Sequence, residues 1–338
     1  MDPRTRADLD LLDSLGSRAA ALNARLREVI IGQHDIVEQL LTAIFCQGHV
    51  LIVGVPGLAK TLLVRTLAAA LRLEFKRIQF TPDMMPTDVI GSELLHADPV
   101  SGTRSMRFSP GPVFANLLLA DEINRTPPKT QAALLEAMAE RQVTVGGVTH
   151  PLPPPFIVIA TQNPIEQEGT YPLPEAQLDR FLFGLRITYP KPAEEVRIVA
   201  AGDDISARAQ RIEPLFDARE LIEIRRVIGQ IPVAEHVTEY AVALARASRP
   251  TDPSCPESVR RFIAWGAGPR AAQALVLASR CLAAMESEPT PNLQHLQRLA
   301  PSVLRHRVVL NYAAAAEGLD PERVVEALVR DTAEPMRR

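Results

Sequence analysis

The chain has 338 residues, of which 46% are hydrophobic and 23% charged, with a formal net charge of −3. That balance suits a globular protein with room for two or three domains, and it excludes a uniformly basic surface for nucleic acid. Three scattered cysteines, Cys46, Cys255 and Cys281, form no C-x-x-C pair, which argues against a metal finger or a disulfide framework and fits a reducing cytoplasm.

The opening stretch MDPRTRADLDLLDSL mixes acids with bases and lacks an apolar centre, so it does not read as a signal peptide. No run approaches the ~18 apolar residues of a membrane span. Residues 5–30 carry leucines and alanines at helical spacing, and a turn and second helix follow through VIIGQHDIVEQLLTAIFCQG. HVLIVG, His49–Gly54, is a short apolar strand that runs into GVPGLAKT, with KTLLVRTLAAALR as the next helix. Further strands are expected at Phe75–Phe80, Ala115–Ile123, Phe156–Asn163 and Phe181–Tyr189, with a helix at Pro127–Glu140. Apolar strands alternating with helices predict an α/β fold with a mostly parallel sheet covered on both faces.

Two segments interrupt this alternation. Gly91–Gly111 reads as a hairpin with a Pro/Ser/Gly turn, and Arg141–Leu152 alternates around Gly146-Gly147, a two-residue hairpin signal. After Pro190-Lys191-Pro192 nearly everything is helical by periodicity. The expected organisation is an α/β core over residues 1–192 and a helical domain over 193–338.

Strand, glycine-bearing loop and helix are the context of a phosphate cradle, G-x-x-x-x-G-K-[ST]. Here Ala59 replaces the glycine before the lysine. Gly54 and Gly57 allow close approach of backbone to phosphate, Pro56 stiffens the loop, and Lys60 reaches the β- and γ-phosphate oxygens. The Thr61 hydroxyl suits Mg²⁺. If Ala59 has negative φ, its methyl costs little. LLLADE ends an apolar strand in Asp121-Glu122, placing one acid to hold Mg²⁺ and the next to polarise an attacking water.

GVPGLAKT, LLLADEINR, ATQNP, YPLPEAQLDRF and GPRAAQAL occur in that order over about residues 25–312. Together they resemble the AAA+ ATPases and, within them, the MoxR family of the helix-2-insert group, where alanine before the lysine is usual. The resemblance implies a P-loop AAA+ core, a parallel five-stranded sheet between helices with β-hairpin inserts, followed by an all-helical lid. It implies that Gly54, Val55, Pro56, Gly57, Leu58, Ala59, Lys60, Thr61 and Leu62 bind ATP, that Thr61 and Asp121 hold Mg²⁺, and that Ile31, Gly32 and Gln33 clasp the adenine. Glu122 and Asn163 would position water. Arg180 would be an arginine finger reaching a neighbouring subunit, and Arg270, on the lid, the second sensor. Gly268-Pro269 is itself a helix-start signal, which puts Arg270 in a first turn where a cation opposes the helix dipole and invites an anion.

The same resemblance implies a homo-oligomeric ring, a hexamer, with both hairpins facing its channel. Its activity would be ATP-driven, chaperone-like maturation of a client protein, such as metal insertion, together with a von Willebrand factor A-domain protein on another chain. A chelatase-like or DNA-acting motor and a non-hydrolysing nucleotide switch are the alternatives. The basic stretch Val303–Asn311 is expected as a solvated face of a late helix, and the seven dispersed histidines argue no metal site.

Overall fold

Each apolar strand is followed by a segment that carries the chain back across the sheet, so the strands come to lie parallel. The structure, a computed structural model, describes residues 3–97, 104–165, 169–202 and 204–334. Its first part runs α1 (Pro3–Val29), α2 (His34–Phe45), β1 (His49–Val53), α3 (Lys60–Ala70), β2 (Phe75–Gln79), α4 (Pro86–Ile90), β3 (Gly91–Ala97), β4 (Arg104–Pro110), β5 (Leu117–Asp121), α5 (Pro128–Glu140), β6 (Gln142–Val145), β7 (Val148–Pro151), β8 (Ile157–Gln162), α6 (Glu175–Leu178) and β9 (Phe181–Arg186). Five strands form one parallel sheet in the order β2-β5-β8-β1-β9, in register through Gln79↔Asp121, Leu51↔Ala160 and Leu51↔Gly184. The carboxyl ends of β1, β5 and β8 therefore share one edge of the sheet, where open α/β folds bind ligands.

Alternate residues divide between the two faces, as the pleat requires. Val50, Ile52, Leu117, Leu119, Ile157 and Ile159 face one cluster with α2 and α3. Leu51, Leu118, Ala120, Val158 and Ala160 face the other, against Leu134, Leu135 and Met138 of α5. Both expected hairpins form. β3 and β4 pair from Gly91↔Pro110 to Ala97↔Arg104, and the turn between them, 98–103, lies outside the described residues. β6 and β7 are joined by Gly146 and Gly147 at φ 57° and 81°, the left-handed turn that the pair announces. Phe108 stacks on His150 at 3.9 Å, so the two hairpins pack on each other.

The second part contains α7 (Pro192–Ala201), α8 (Asp204–Gln210), α9 (Ala218–Gln230), α10 (Glu235–Ala247), α11 (Glu257–Arg260), β10 (Ile263–Trp265), α12 (Pro269–Met285), α13 (Leu293–Leu304), β11 (Val309–Leu310), α14 (Tyr312–Ala316) and α15 (Pro321–Asp331). It is a helical lid in which one short antiparallel pairing, β10 with β11, ties the start of α12 to the turn after α13. Helix α1 packs on α12 as well as on α2 and α3. Its Leu15, Ala19, Leu22 and Leu26 form a buried stripe at helical spacing, and the apolar core runs without a break from the sheet into the lid.

The expectation for Val303–Asn311 needs correction. Helix α13 stops at Leu304, and the basic stretch turns inward instead of facing water. Arg305 pairs with Glu322, His306 Nε2 donates to the Phe181 carbonyl at 3.0 Å, and Arg307 is buried. His306 lies over Gly184, where any β-carbon would strike the ring, which explains a glycine in the middle of strand β9. Burial pushes the imidazole well below its ordinary pKa, with Arg307 adding to the fall, so the ring is neutral. These contacts consume the charges that a nucleic-acid reading of this stretch would have used.

Candidate nucleotide site

The phosphate loop spans the gap between β1 and the first turn of α3. Gly54 N–H donates to the Gln162 carbonyl at 3.1 Å, which pins the loop to the end of β8. Gly57 sits at φ 82° with open space where a side chain would be, room that a phosphate would occupy between backbone amides. Ala59, which precedes α3, adopts φ 52°. The expectation of an almost cost-free methyl required negative φ, and in the left-handed region an alanine costs roughly 1–2 kcal/mol. Lys60 is buried in the first turn of α3, and its Nζ donates to the Gly54 carbonyl at 2.5 Å. Burial pulls its pKa below the ordinary lysine value, while Asp121 and Glu122 oppose the fall.

Asp121 ends β5 and Glu122 leaves it at φ 56°, a second left-handed non-glycine residue at this edge. The Thr161 hydroxyl, at the end of β8, donates to Asp121 Oδ1 at 2.5 Å and accepts the Glu122 N–H at 2.8 Å. Arg77 Nη2 donates to Asp121 Oδ2 at 2.7 Å, and Gln79 Nε2 donates to Glu122 Oε2 at 2.8 Å. Arg125 reaches the same Glu122 oxygen at 3.1 Å. Arg77, Gln79 and Thr161 were missed in the sequence. Thr161 carries a positional signal, a polar residue near the carboxyl end of an apolar strand, whereas Arg77 and Gln79 carry none, because β2, FKRIQ, is largely polar.

Asn163 is 4% exposed. Its Oδ1 accepts the Ile165 N–H at 3.2 Å, so the Asx turn before Pro164 is present. Its Nδ2 is buried without a hydrogen-bond partner among the described residues. A buried donor left unmade costs about 1–3 kcal/mol, and a phosphate oxygen or its attacking water would satisfy it. With the open cradle at Gly57, this orphaned amide makes the edge fit a phosphate-bearing ligand.

The expected residues fall into separate clusters. The loop Gly54–Leu62, Asp121, Glu122 and Asn163 share the carboxyl edge. Arg180 does not: it immediately precedes Phe181, which pairs with His49 at the opposite, amino end of β1. A strand of five or six residues separates these ends by roughly 16–20 Å. Arg180 Nε donates to Gln177 Oε1 at 2.8 Å, and its neighbour Asp179 pairs with Arg307 at 2.7 Å rather than with Arg180. Arg270 is the second residue of α12, as the Gly-Pro start implies, and lies 3.8 Å from Asp179 Oδ2. It therefore joins the Arg180 side. The Ile31–Gln33 turn links α1 to α2 with Gly32 and Gln33 left-handed, and the Glu194 carboxylate lies directly over Gly32. A mainly apolar cleft of ≈ 490 Å³ runs from Gly54 and Val55 past Ile187 to the lid residues His306 and Pro321. Its lining includes neither Lys60 nor Asp121.

Comparisons with known proteins agree with this geometry. Residues 49–183 match the ATPase family associated with various cellular activities (AAA), and residues 257–328 match the AAA lid domain. The chain is 42% identical to Chaperone MoxR1 of Mycobacterium tuberculosis, over 92% of this chain and 80% of that protein. It is 40% identical to the uncharacterized protein YeaC of Bacillus subtilis, over 97% of each, and 32% identical to Protein MoxR of Methylorubrum extorquens, over 86% of this chain and 88% of that one. The crystal structure of a candidate ATPase from Cytophaga hutchinsonii superposes with a TM-score of 0.89 at 36% identity, covering 98% of this chain and 99% of that one. Together with the cradle, the acid pair and the lid, these likenesses establish that the chain belongs to the MoxR family of AAA+ ATPases.

Proposed function

We propose that this chain hydrolyses ATP in a homo-oligomeric ring, a hexamer, and uses the cycle to remodel or mature a client protein. The observation that carries this reading is the placement of Arg180. It stands at the amino end of the sheet, whereas the cradle stands at the carboxyl end. A residue at the strand end opposite its own cradle, roughly 16–20 Å away along the backbone, completes a nucleotide site by reaching the one on an adjacent protomer. Arg270, held beside Asp179, belongs to the same donated edge, so both cations meet the neighbour's nucleotide.

Lys60 and the amides of Gly54–Leu62 bind the β- and γ-phosphates, and the Ile31–Gln33 turn clasps the adenine. Thr61 and Asp121 are the residues that would hold Mg²⁺, which when bound supplies positive charge to those phosphates. Glu122 accepts a proton from the attacking water while Asn163 Nδ2 donates to the oxygen it orients. Release of Glu122 from Gln79 and Arg125 frees its carboxylate for that work. Arg180 and Arg270 stabilise the charge that builds on the transferring phosphoryl group. Loss of the γ-phosphate removes their ligand, so neighbour and lid move apart together.

The core is proposed to span 1–192 and the lid 193–338. No helix among the described residues is long and apolar enough to cross a membrane, and a cytoplasmic location fits the reading. The family resemblance supports a von Willebrand factor A-domain partner on a separate chain and clients that include metal-dependent enzymes. Glu122→Gln tests the hydrolytic step. It should keep ATP bound while turnover stops, and undiminished turnover would contradict the assignment.

A further inference from the structure

Arg307 is the most completely engaged buried cation described between lid and core. Its side chain is 3% exposed. Nε donates to Asp179 Oδ1 at 2.7 Å, Nη2 to the Phe181 carbonyl at 2.7 Å and to the Asp179 carbonyl at 3.3 Å, and Nη1 to the Leu182 carbonyl at 3.3 Å. The acceptors bracket Arg180 on both sides along the chain. A fifth bond, to the Val303 carbonyl at 2.5 Å, ties the guanidinium back to its own helix α13. Asp179 has a second cation, Arg270, at 3.8 Å on the start of α12. His306 adds a further lid contact to the Phe181 carbonyl.

A buried guanidinium is expensive to desolvate and persists only where its hydrogen bonds are met. A lid that needed only to stay attached could use apolar packing, which is abundant here. The bonds instead converge on the few backbone groups that fix the direction of Arg180. We propose that Arg307 and Asp179 are positioning residues: the lid grips the arginine-finger segment through them and aims Arg180 and Arg270 at the adjacent protomer's nucleotide. The inference rests on the shared-site reading above. It means that a lid motion in one protomer is transmitted as a displacement of the cations offered to the next one.

A finger misplaced by about 1 Å is enough to lower turnover on the order of 10²-fold, while the cradle of the same protomer remains intact. Arg307→Lys keeps a charge but cannot span the bracketing carbonyls. Asp179→Asn keeps the backbone acceptors and removes the carboxylate. Each should lower kcat by about 10²-fold with little change in ATP affinity. The deciding measurement is complementation in mixed rings, with two variants co-expressed under different tags and purified through both. Lys60→Ala offers an intact finger and a dead cradle, so pairing it with Arg307→Lys should recover activity above either variant alone. A purely structural defect in the lid would not be rescued this way. The control is Lys60→Ala with Arg180→Ala. If the control complements and neither Arg307→Lys nor Asp179→Asn does, the positioning role is overturned while the shared site stands. If the control itself fails, the shared-site reading is overturned first. If Arg307→Lys does not fold, Asp179→Asn carries the same comparison, and failure of both to fold would make the contact structural and overturn the proposal.

Discussion

Thr161 joins the two acids at the edge of the sheet, donating to Asp121 at 2.5 Å and receiving the Glu122 amide at 2.8 Å. One buried hydroxyl thus fixes the carboxylate assigned to the metal and the backbone of the residue assigned to the water. Thr161→Val keeps the shape of the side chain and leaves both partners unmade. The expected result is a loss of about 1–3 kcal/mol of stability and a fall in kcat on the order of 10²-fold with a smaller change in KM. Steady-state kinetics beside urea denaturation would check this, and wild-type kcat would remove Thr161 from the catalytic edge.

Ala59 is a strained position rather than a neutral substitution. At φ 52° its methyl costs roughly 1–2 kcal/mol, partly offset because glycine loses more chain entropy on folding. Ala59→Gly should therefore stabilise the protein by about 0.5–1 kcal/mol, seen as a higher urea midpoint at unchanged slope. A lower midpoint would mean that the alanine methyl makes packing contacts that outweigh the strain.

His49 gives the fold a calculable acid sensitivity. It is buried at the start of β1, with Nδ1 accepting the Val158 N–H at 3.0 Å and Nε2 donating to the Met138 carbonyl at 3.3 Å. Burial is the main cause that lowers its pKa to about 4, opposed by the Met138 bond and reinforced by Arg141 and Arg180. The unfolded chain takes up this proton near pH 6.5 and the folded one only near pH 4. Stability from the neutral ring is thus complete above pH 6.5 and lost as pH falls toward 4, by about 3 kcal/mol in all. His49→Gln, which can accept and donate in the same places, should flatten that slope relative to wild type. Parallel pH profiles for the two proteins would contradict the assignment.

The sheet, the hairpins and the phosphate loop were legible because their signals are local. Apolar runs, Gly146-Gly147 and the loop before Lys60 each predict their own conformation. What the sequence hid is tertiary. Arg77 and Gln79 look like ordinary polar residues on an edge strand until β2 is placed against β5. Arg305, His306 and Arg307 read as a solvated basic face because nothing local announces that α13 ends at Leu304 and the chain turns into the core. The sign of φ at Ala59 was likewise invisible, since it is set by the loop's closure onto α3. Arg270 was placed correctly in its helix, yet its neighbour Asp179 lies 91 positions earlier in the chain, which no periodicity reveals.

A division of labour is proposed in which one protomer binds the nucleotide and the next supplies the guanidinium. It is tested most directly by rings co-assembled from Lys60→Ala and Arg180→Ala chains, neither of which should turn over ATP alone. In an equal random mixture an intact cradle meets an intact finger at roughly a quarter of the interfaces, so ATP turnover near that fraction of wild type is the expected result. Turnover no higher than that of either parent, in rings shown to contain both chains, would contradict it.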